Sequence, residues 1–303
     1  MNLSTARAVR VQNQHVNTFE HILQGSVFTK LKQTFMKQAD RSTNISRNYQ
    51  PFQHFRLNIA QRTDVGRQRP HNEDNVAYIV PKDAMLQAKK GSLFIVADGM
   101  GGHAAGEVAS EMAVSSVSTL YYYDDDSDAA ASLLRSIQYT NALIYQRARE
   151  QAEHNGMGTT CVAAVLLDDK AYVANIGDSR AYIVRRGWLR QISQDHSWVA
   201  EQVRSGAMTE AEARMHQLRN MITRSLGSLP EVQADIFIEQ VQEGDTLLLC
   251  SDGLSGMIPD NEIAHIIERY PPQECAHRLI EQANAHGGSD NITVLVARIL
   301  SRF

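Results

Sequence analysis

The sequence predicts an α+β layered fold in which two antiparallel β-sheets pack together with helices outside. Three observations predict it. From about residue 55 onward, short apolar runs of strand length alternate with long patterns of helical period. Tight polar turns such as Asp168-Asp169 join neighbouring strand-like runs, which favours antiparallel hairpins. The chain has 303 residues, 43% of them hydrophobic and 21% charged, enough to bury the core that such layers enclose.

Taken in order, residues 1–54 stand apart from the rest. They are rich in Gln, Asn, Ser and Thr, and Arg7, Arg10, Lys30, Lys32, Lys37, Arg41 and Arg47 face only Glu20 and Asp40. Phe19, Leu23, Val27, Leu31 and Phe35 recur at every fourth position, one face of a helix that Gly25 weakens. Such a helix packs on the main domain or docks a partner or an anionic membrane surface. Beyond it, strands are expected at 75–80, 92–97, 160–167, 171–176, 180–184, 234–238, 246–250 and 292–299. Helices are expected at 104–122, 128–153, 197–206, 209–217, 260–269 and 272–285. Asp124-Asp125-Asp126, between two helices, reads as a solvated loop rather than a cation site.

Bulk properties exclude several classes. A net charge of −4 and the lack of a basic, aromatic-lined groove argue against nucleic acid as a partner. Cys161, Cys250 and Cys275 are far apart and odd in number, so neither a zinc knuckle nor a disulfide framework is expected. No stretch reaches the ~18 apolar residues of a membrane span, and no apolar signal core opens the chain. The expected compartment is the reducing cytoplasm.

Acids gather where the apolar strands end. Leu93-Phe94-Ile95-Val96-Ala97 runs into Asp98-Gly99, and Leu247-Leu248-Leu249-Cys250 into Ser251-Asp252-Gly253. Glu73-Asp74 precedes the strand at 75–80, and Asp290 the strand at 292–299. One Asp-Gly after a strand is usually a turn. Several on core strands suggest carboxylates that converge and repel, a cost that a divalent cation removes. All-oxygen ligands favour Mg²⁺ or Mn²⁺ over zinc, and no calcium loop of the EF-hand pattern is present. The glycine-rich segment from Asp98 to Glu107 has neither a P-loop ending nor dinucleotide spacing, and no nucleophile elbow occurs.

These residues resemble the motifs of the type 2C, metal-dependent serine/threonine phosphatases, in their bacterial branch. Thr63-Asp64-Val65-Gly66 through Arg69 to Asn72-Glu73-Asp74 resembles the opening motif, and Asp98 to Glu107 the second. Gly158-Thr159-Thr160, Asn175-Ile176-Gly177-Asp178-Ser179-Arg180, Asp195-His196-Ser197 and Ile222-Thr223-Arg224-Ser225-Leu226-Gly227 follow in family order. Ser251-Asp252-Gly253-Leu254 and Ser289-Asp290-Asn291-Ile292-Thr293 complete a match from about residue 57 to the C-terminus.

The resemblance implies a four-layer αββα sandwich and hydrolysis of phosphoserine and phosphothreonine in proteins, opposing a cognate serine/threonine kinase. It implies that Asp98 bridges two Mn²⁺ or Mg²⁺ ions and that Gly99 lends its carbonyl to one. Asp252 and Asp290 would ligate the other, with Glu73 and Asp74 acting through waters or directly. Asp178 would help hold a third, weaker cation, and Arg69 would grip the substrate phosphate. A guanidinium fork matches two phosphoryl oxygens, and paired cations lower the pKa of a shared water toward about 7. His103 is the candidate donor to the departing oxygen. Asp64, His196 and His216 read as structural. Gly256 stands where many relatives carry a further acid, which weakens the third cation site. Residues 196–227, polar and helix-rich, read as a flap that helps select substrates.

Two other readings share this chemistry: a non-catalytic phosphoprotein-binding module, and a metal hydrolase of phosphodiesters or nucleotides. Loss of the metal aspartates would favour the first, yet Asp74, Asp98, Asp252 and Asp290 are all present. The resemblance leaves residues 1–54 outside, as an extension that tethers, inhibits or docks a partner for the domain at 55–303.

Overall fold

The computed structural model describes residues 55–101, 104–150 and 152–302. The N-terminal extension and the candidate acid His103 lie outside the described residues.

Strand parity builds the sandwich. In β3 (Ser92–Met100), Leu93, Ile95 and Ala97 face one way, Phe94 and Val96 the other, and all five are buried. A strand apolar on both faces needs a layer against each. Its own sheet has the order β2-β3-β5-β6-β9, formed with β2 (Asp74–Ile79), β5 (Cys161–Leu167), β6 (Lys170–Ile176) and β9 (Asp235–Gln240). The short β4 (Gly158–Thr159) pairs with the end of β3. The second sheet has the order β1-β11-β10-β7-β8, from β1 (Phe55–Asp64), β7 (Arg180–Arg185), β8 (Trp188–Gln191), β10 (Thr246–Cys250) and β11 (Ile292–Arg302). Every pairing in both is antiparallel.

Three apolar clusters fill the spaces between four layers. Phe94, Val96, Val162, Ala164 and Val173 of one sheet meet Ile183, Leu247, Leu249, Leu295 and Ala297 of the other. On the far face of the first sheet, Leu93, Ile95, Ala163 and Val165 meet α2 (Ala104–Tyr123) and α3 (Ala129–Glu150) through Ala109, Ala113, Val117, Leu133 and Ile137. On the far face of the second, Tyr182, Leu248, Val294 and Val296 meet α7 (Asp260–Arg269) and α8 (Pro272–Ala285) through Ile263, Ile267, Leu279 and Ala283. The helices cover these faces because their buried residues recur at helical spacing, as with Cys275, Ala276, Leu279, Ile280 and Ala283 of α8. The four-layer αββα expectation is therefore met.

The remaining helices are short: α1 (Ala84–Lys90), α4 (Trp198–Arg204), α5 (Glu210–Met215) and α6 (Asp252–Ser255). Asp83 caps α1 by accepting from the Leu86 N–H at 2.8 Å, and Thr209 with Glu212 forms a capping box on α5. Asp168, at φ 55°, makes the expected turn from β5 to β6. Asp124 accepts the Asp126 N–H at 2.9 Å, a turn within the acidic run. Strand β1 was not foreseen: of its ten residues only Phe55 and Ala60 are buried. Among the described residues it is an edge strand bonded only to β11, so it needs no apolar run.

Helices α4 and α5 lie in the excursion expected as a flap, which leaves after β8 and returns before β9. Its two ends run side by side. The Trp198 N–H donates to the Met221 carbonyl and the Thr223 N–H to the His196 carbonyl, both at 2.8 Å. Leu226 and Thr159 exchange a pair of backbone hydrogen bonds at 2.8 and 3.1 Å.

Candidate active site

The site begins with two carboxylates on adjacent strands. Asp98 shares the parity of Phe94 and Val96, so it lies on the face between the sheets, at the rim. Its register partner on β2 is Asp74, which puts the two side by side. The backbone of Asp98 is held from both directions. Its N–H donates to Thr160 Oγ1 at 2.9 Å, and its carbonyl accepts from the Thr160 N–H and from Thr159 Oγ1, both at 2.8 Å. The Thr160 hydroxyl is bonded in turn to that of Ser179 at 2.7 Å. Asp74 is clamped from the opposite sheet: Ser251 Oγ donates to its Oδ2 at 2.7 Å while accepting the Thr293 N–H at 3.0 Å.

Asp252 opens α6, one residue beyond the end of β10, and Asp178 sits in the turn between β6 and β7. Burial pushes Asp74 up to about 7 and Asp252 to about 6, and Asp290 adds to both. Asp98 and Asp178 are held well above the usual carboxylate range, by burial first and then by neighbouring acids, Asp74 and Asp252 for Asp98 and Asp252 for Asp178. Asp74 and Asp178 are each 7% exposed, whereas Asp98 and Asp252 keep more of their surface open to solvent. Buried Oδ1 atoms of Asp74, Asp178 and Asp252 accept no hydrogen bond.

Orphaned buried acceptors cost about 1–3 kcal/mol each, more when charged. A divalent cation would offset that cost, and an all-oxygen set suits Mg²⁺ or Mn²⁺. Among the described residues no three His, Cys, Asp or Glu side chains form a ready-made cation cage. Magnesium-type sites do not need one, since each ion keeps several waters and takes one or two carboxylates. The donor set fits such ions.

Around this cluster stand the other expected residues. Arg69 is half exposed and bonds Asp290 Oδ2 at 2.8 Å. Burial works against its charge, but Asp290, Asp98 and Glu73 together hold its pKa up. Glu73 points instead toward the first turn of α2, where a Cβ on Gly106 would meet its Oε2 at 2.6 Å. A negative charge is favoured at a helix N-terminus. Gly99 is enclosed: its N–H donates to the Glu73 carbonyl at 3.1 Å, and a Cβ there would lie 2.1 Å from the Gly106 carbonyl oxygen. Asp64 accepts the Gly66 N–H and the Asn284 amide, the structural turn expected of it. Gly256, the C-cap of α6, adds no acid beside Asp252.

Ser251, Asn291, Thr160 and Ser179 lie inside the motifs, where the sequence assigns them no role. Asn291 ties three loops together, accepting the Glu73 N–H through Oδ1 and donating to the Val65 and His71 carbonyls. For Ser179, Ser251 and Asn291 the signal was position beside a candidate ligand; Thr160 had none. Arg180 grips Asp195 with a two-pronged ion pair, and Gln191 donates to the same carboxylate.

A family model described as protein phosphatase 2C matches residues 71–288. The chain belongs to the protein phosphatase 2C family. The serine/threonine phosphatase stp of Listeria innocua is 42% identical over 240 residues, which is 78% of this chain and 93% of that protein. The Mycobacterium tuberculosis serine/threonine phosphatase PstP/Ppp superposes with a TM-score of 0.72 at 38% identity, covering 80% of this chain and 99% of that one. A structure of the PstP catalytic domain in complex with two manganese ions aligns with a TM-score of 0.70 at 37% identity, over 81% and 99% of the two chains. By class, this member of the family is a metal-dependent protein serine/threonine phosphatase.

Proposed function

We propose that this phosphatase hydrolyses phosphoserine and phosphothreonine through a pair of Mn²⁺ or Mg²⁺ ions held by Asp74, Asp98, Asp252, Asp290 and the Gly99 carbonyl. The observation that supports this most is the register pair Asp74 and Asp98, both raised in pKa beside neighbouring acids, with Asp74 Oδ1 buried and accepting no hydrogen bond. When bound, the two ions supply an activated water and neutralise charge on the phosphoryl group.

The residues of the chain do the rest. Asp98 would take the place between the two ions, since strand parity puts it on the face between the sheets and three threonine hydrogen bonds fix its backbone at the rim. Ser251 keeps one oxygen of Asp74 turned away and so aims the other into the cluster. Glu73 acts at the α2 end through water. Asp178 would hold a third, weaker ion next to Asp252, a site that Gly256 leaves poorer in charge. Arg69 exchanges Asp290 for the substrate phosphate, which frees Asp290 as a ligand. His103 donates the proton that the departing serine or threonine oxygen requires. The physiological setting we propose is the cytoplasm, where the enzyme opposes a serine/threonine kinase and residues 1–54 dock a partner.

Turnover of a phosphothreonine peptide against added Mn²⁺, for the native chain and Asp98→Asn, tests the reading. Native turnover should require the metal and stop with chelator, and the variant should be nearly inactive. Activity that persists in excess chelator would exclude the proposal.

A further inference from the structure

Both ends of the flap return to one carboxylate. Asp235, the first residue of β9, has Oδ2 3.0 Å from His196 Nε2 and Oδ1 3.1 Å from Arg224 Nη1. His196 begins the flap and is 1% exposed, and Arg224 lies near the flap's end. The second ring nitrogen of His196, Nδ1, lies 3.2 Å from the Gly177 N–H and accepts from it. A neutral imidazole has one donor and one acceptor, so its proton must sit on Nε2 and point at Asp235. The His196 N–H also donates to the Gly177 carbonyl at 2.9 Å. His196 therefore holds Gly177 by its ring and by its backbone.

Gly177 in turn sets Asp178. Its φ is +99°, and a Cβ there would lie 2.5 Å from Thr160 Cγ2, so the turn can take this shape only with glycine. Such a turn has little local stiffness of its own; Asn175 Nδ2 donates to the Gly177 carbonyl at 3.1 Å, and His196 adds a bond to that carbonyl and one to the Gly177 N–H. Asp178 follows immediately, with a buried Oδ1 that accepts no hydrogen bond and with Asp252 as the carboxylate acting most strongly on it. The connection runs from Asp235 through His196 and Gly177 to Asp178. Hydrogen-bonding groups behind a ligand orient it in metal sites; here that orientation would pass from His196 through the Gly177 backbone to Asp178.

We propose that Asp235 is a positioning residue of this phosphatase, joining the two ends of the flap and, through His196, fixing the Gly177–Asp178 turn beside Asp252. The inference rests on the reading that Asp178 holds a divalent cation. Arg224 contributes by sharing the carboxylate, so flap closure and Asp178 placement depend on the same side chain.

The test uses the full chain with Asp235→Ala and Asp235→Glu. Amide hydrogen exchange of the metal-free protein is followed by mass spectrometry, and turnover of a phosphothreonine peptide is followed against Mn²⁺. Asp235→Ala should speed exchange at 176–180 as well as 196–200, and raise the half-activating Mn²⁺ concentration about tenfold or more. Turnover at saturating Mn²⁺ should change much less, and Asp235→Glu should recover both readouts. A lower melting temperature with unchanged exchange at 176–180 and an unchanged Mn²⁺ requirement would overturn the proposal, leaving Asp235 a purely structural residue. Should Asp235→Ala fold poorly, Arg224→Met at a 39% exposed side chain removes half of the junction and should shift both readouts in the same direction. A native chain inactive with Mn²⁺ would defeat the phosphatase reading instead, and exchange at 176–180 would then decide the positioning role alone.

Discussion

The interior of the sandwich and its acidic rim are built from the same strands and obey opposite rules. Phe94 and Val96 of β3 are wholly buried against the facing sheet, in a cluster with Leu247, Leu249 and Leu295. Two residues beyond Val96, on the same face, Asp98 stands beside Asp74 with Asp252 close by, where charges repel and oxygens go unpaired. The rigidity gained in the first region holds the second in a geometry it would not adopt by itself. If that division is right, damage to the rim should cost activity without cost to folding, and damage to the core should do the reverse.

The sharpest separation comes from Asp98→Asn. Turnover should fall roughly 10³-fold, equivalent to several kcal/mol of lost transition-state stabilisation. The metal-free protein at pH 8 should melt higher than the native chain, because one member of a repelling set is gone. Each kcal/mol of relief corresponds to roughly 2–4 °C in a domain of this size. A variant that is both inactive and less stable would break the comparison. Phe94→Ala is the converse. It should destabilise by about 3–5 kcal/mol, measured by urea unfolding, while the Mn²⁺ concentration for half-activity of the folded fraction stays put.

A subtler effect follows from pH. Asp74 is pushed up to about 7 and Asp252 to about 6, from 3.8, so the folded protein binds protons more tightly than the unfolded chain. Their contribution to metal-free stability is complete below about pH 4 and is lost as pH rises through 6 and 7. Melting temperatures in EDTA, compared between native and Asp74→Asn from pH 5 to 8, should diverge in favour of the variant as pH rises. Saturating Mn²⁺ should reverse the order. Parallel curves would mean that Asp74 is an ordinary carboxylate. The smallest expected change is from Ser251→Ala, which removes the hydroxyl that aims Asp74. It should raise the Mn²⁺ requirement about tenfold with a folded, monodisperse product.

Much of the core was legible because strands buried on both faces, such as β3 and β5, must be apolar throughout. Strand β1 was not, since an edge strand facing water carries a polar sequence. The ligand candidates were legible because Asp98 follows an apolar run directly and Asp252 follows one after a single serine. Their supports were not, because roles there depend on register between distant strands. Ser251 meets Asp74 across 177 residues of sequence, and no local pattern announces it. The Arg69–Asp290 pair was hidden for the same reason, each residue having been read as serving a different ligand. His196 was expected to be structural, and its bonds to Gly177 and Asp235 agree.

Calorimetric titration of Mn²⁺ into the metal-free chain at pH 7.5, in buffers of different ionisation enthalpy, measures the claim about the rim most directly. The account predicts two principal ions per chain, protons released as the raised carboxylates give way to metal, and loss of both signatures in Asp98→Asn. Binding of no ion, or binding equal in the native chain and in Asp98→Asn with no proton release, would contradict it.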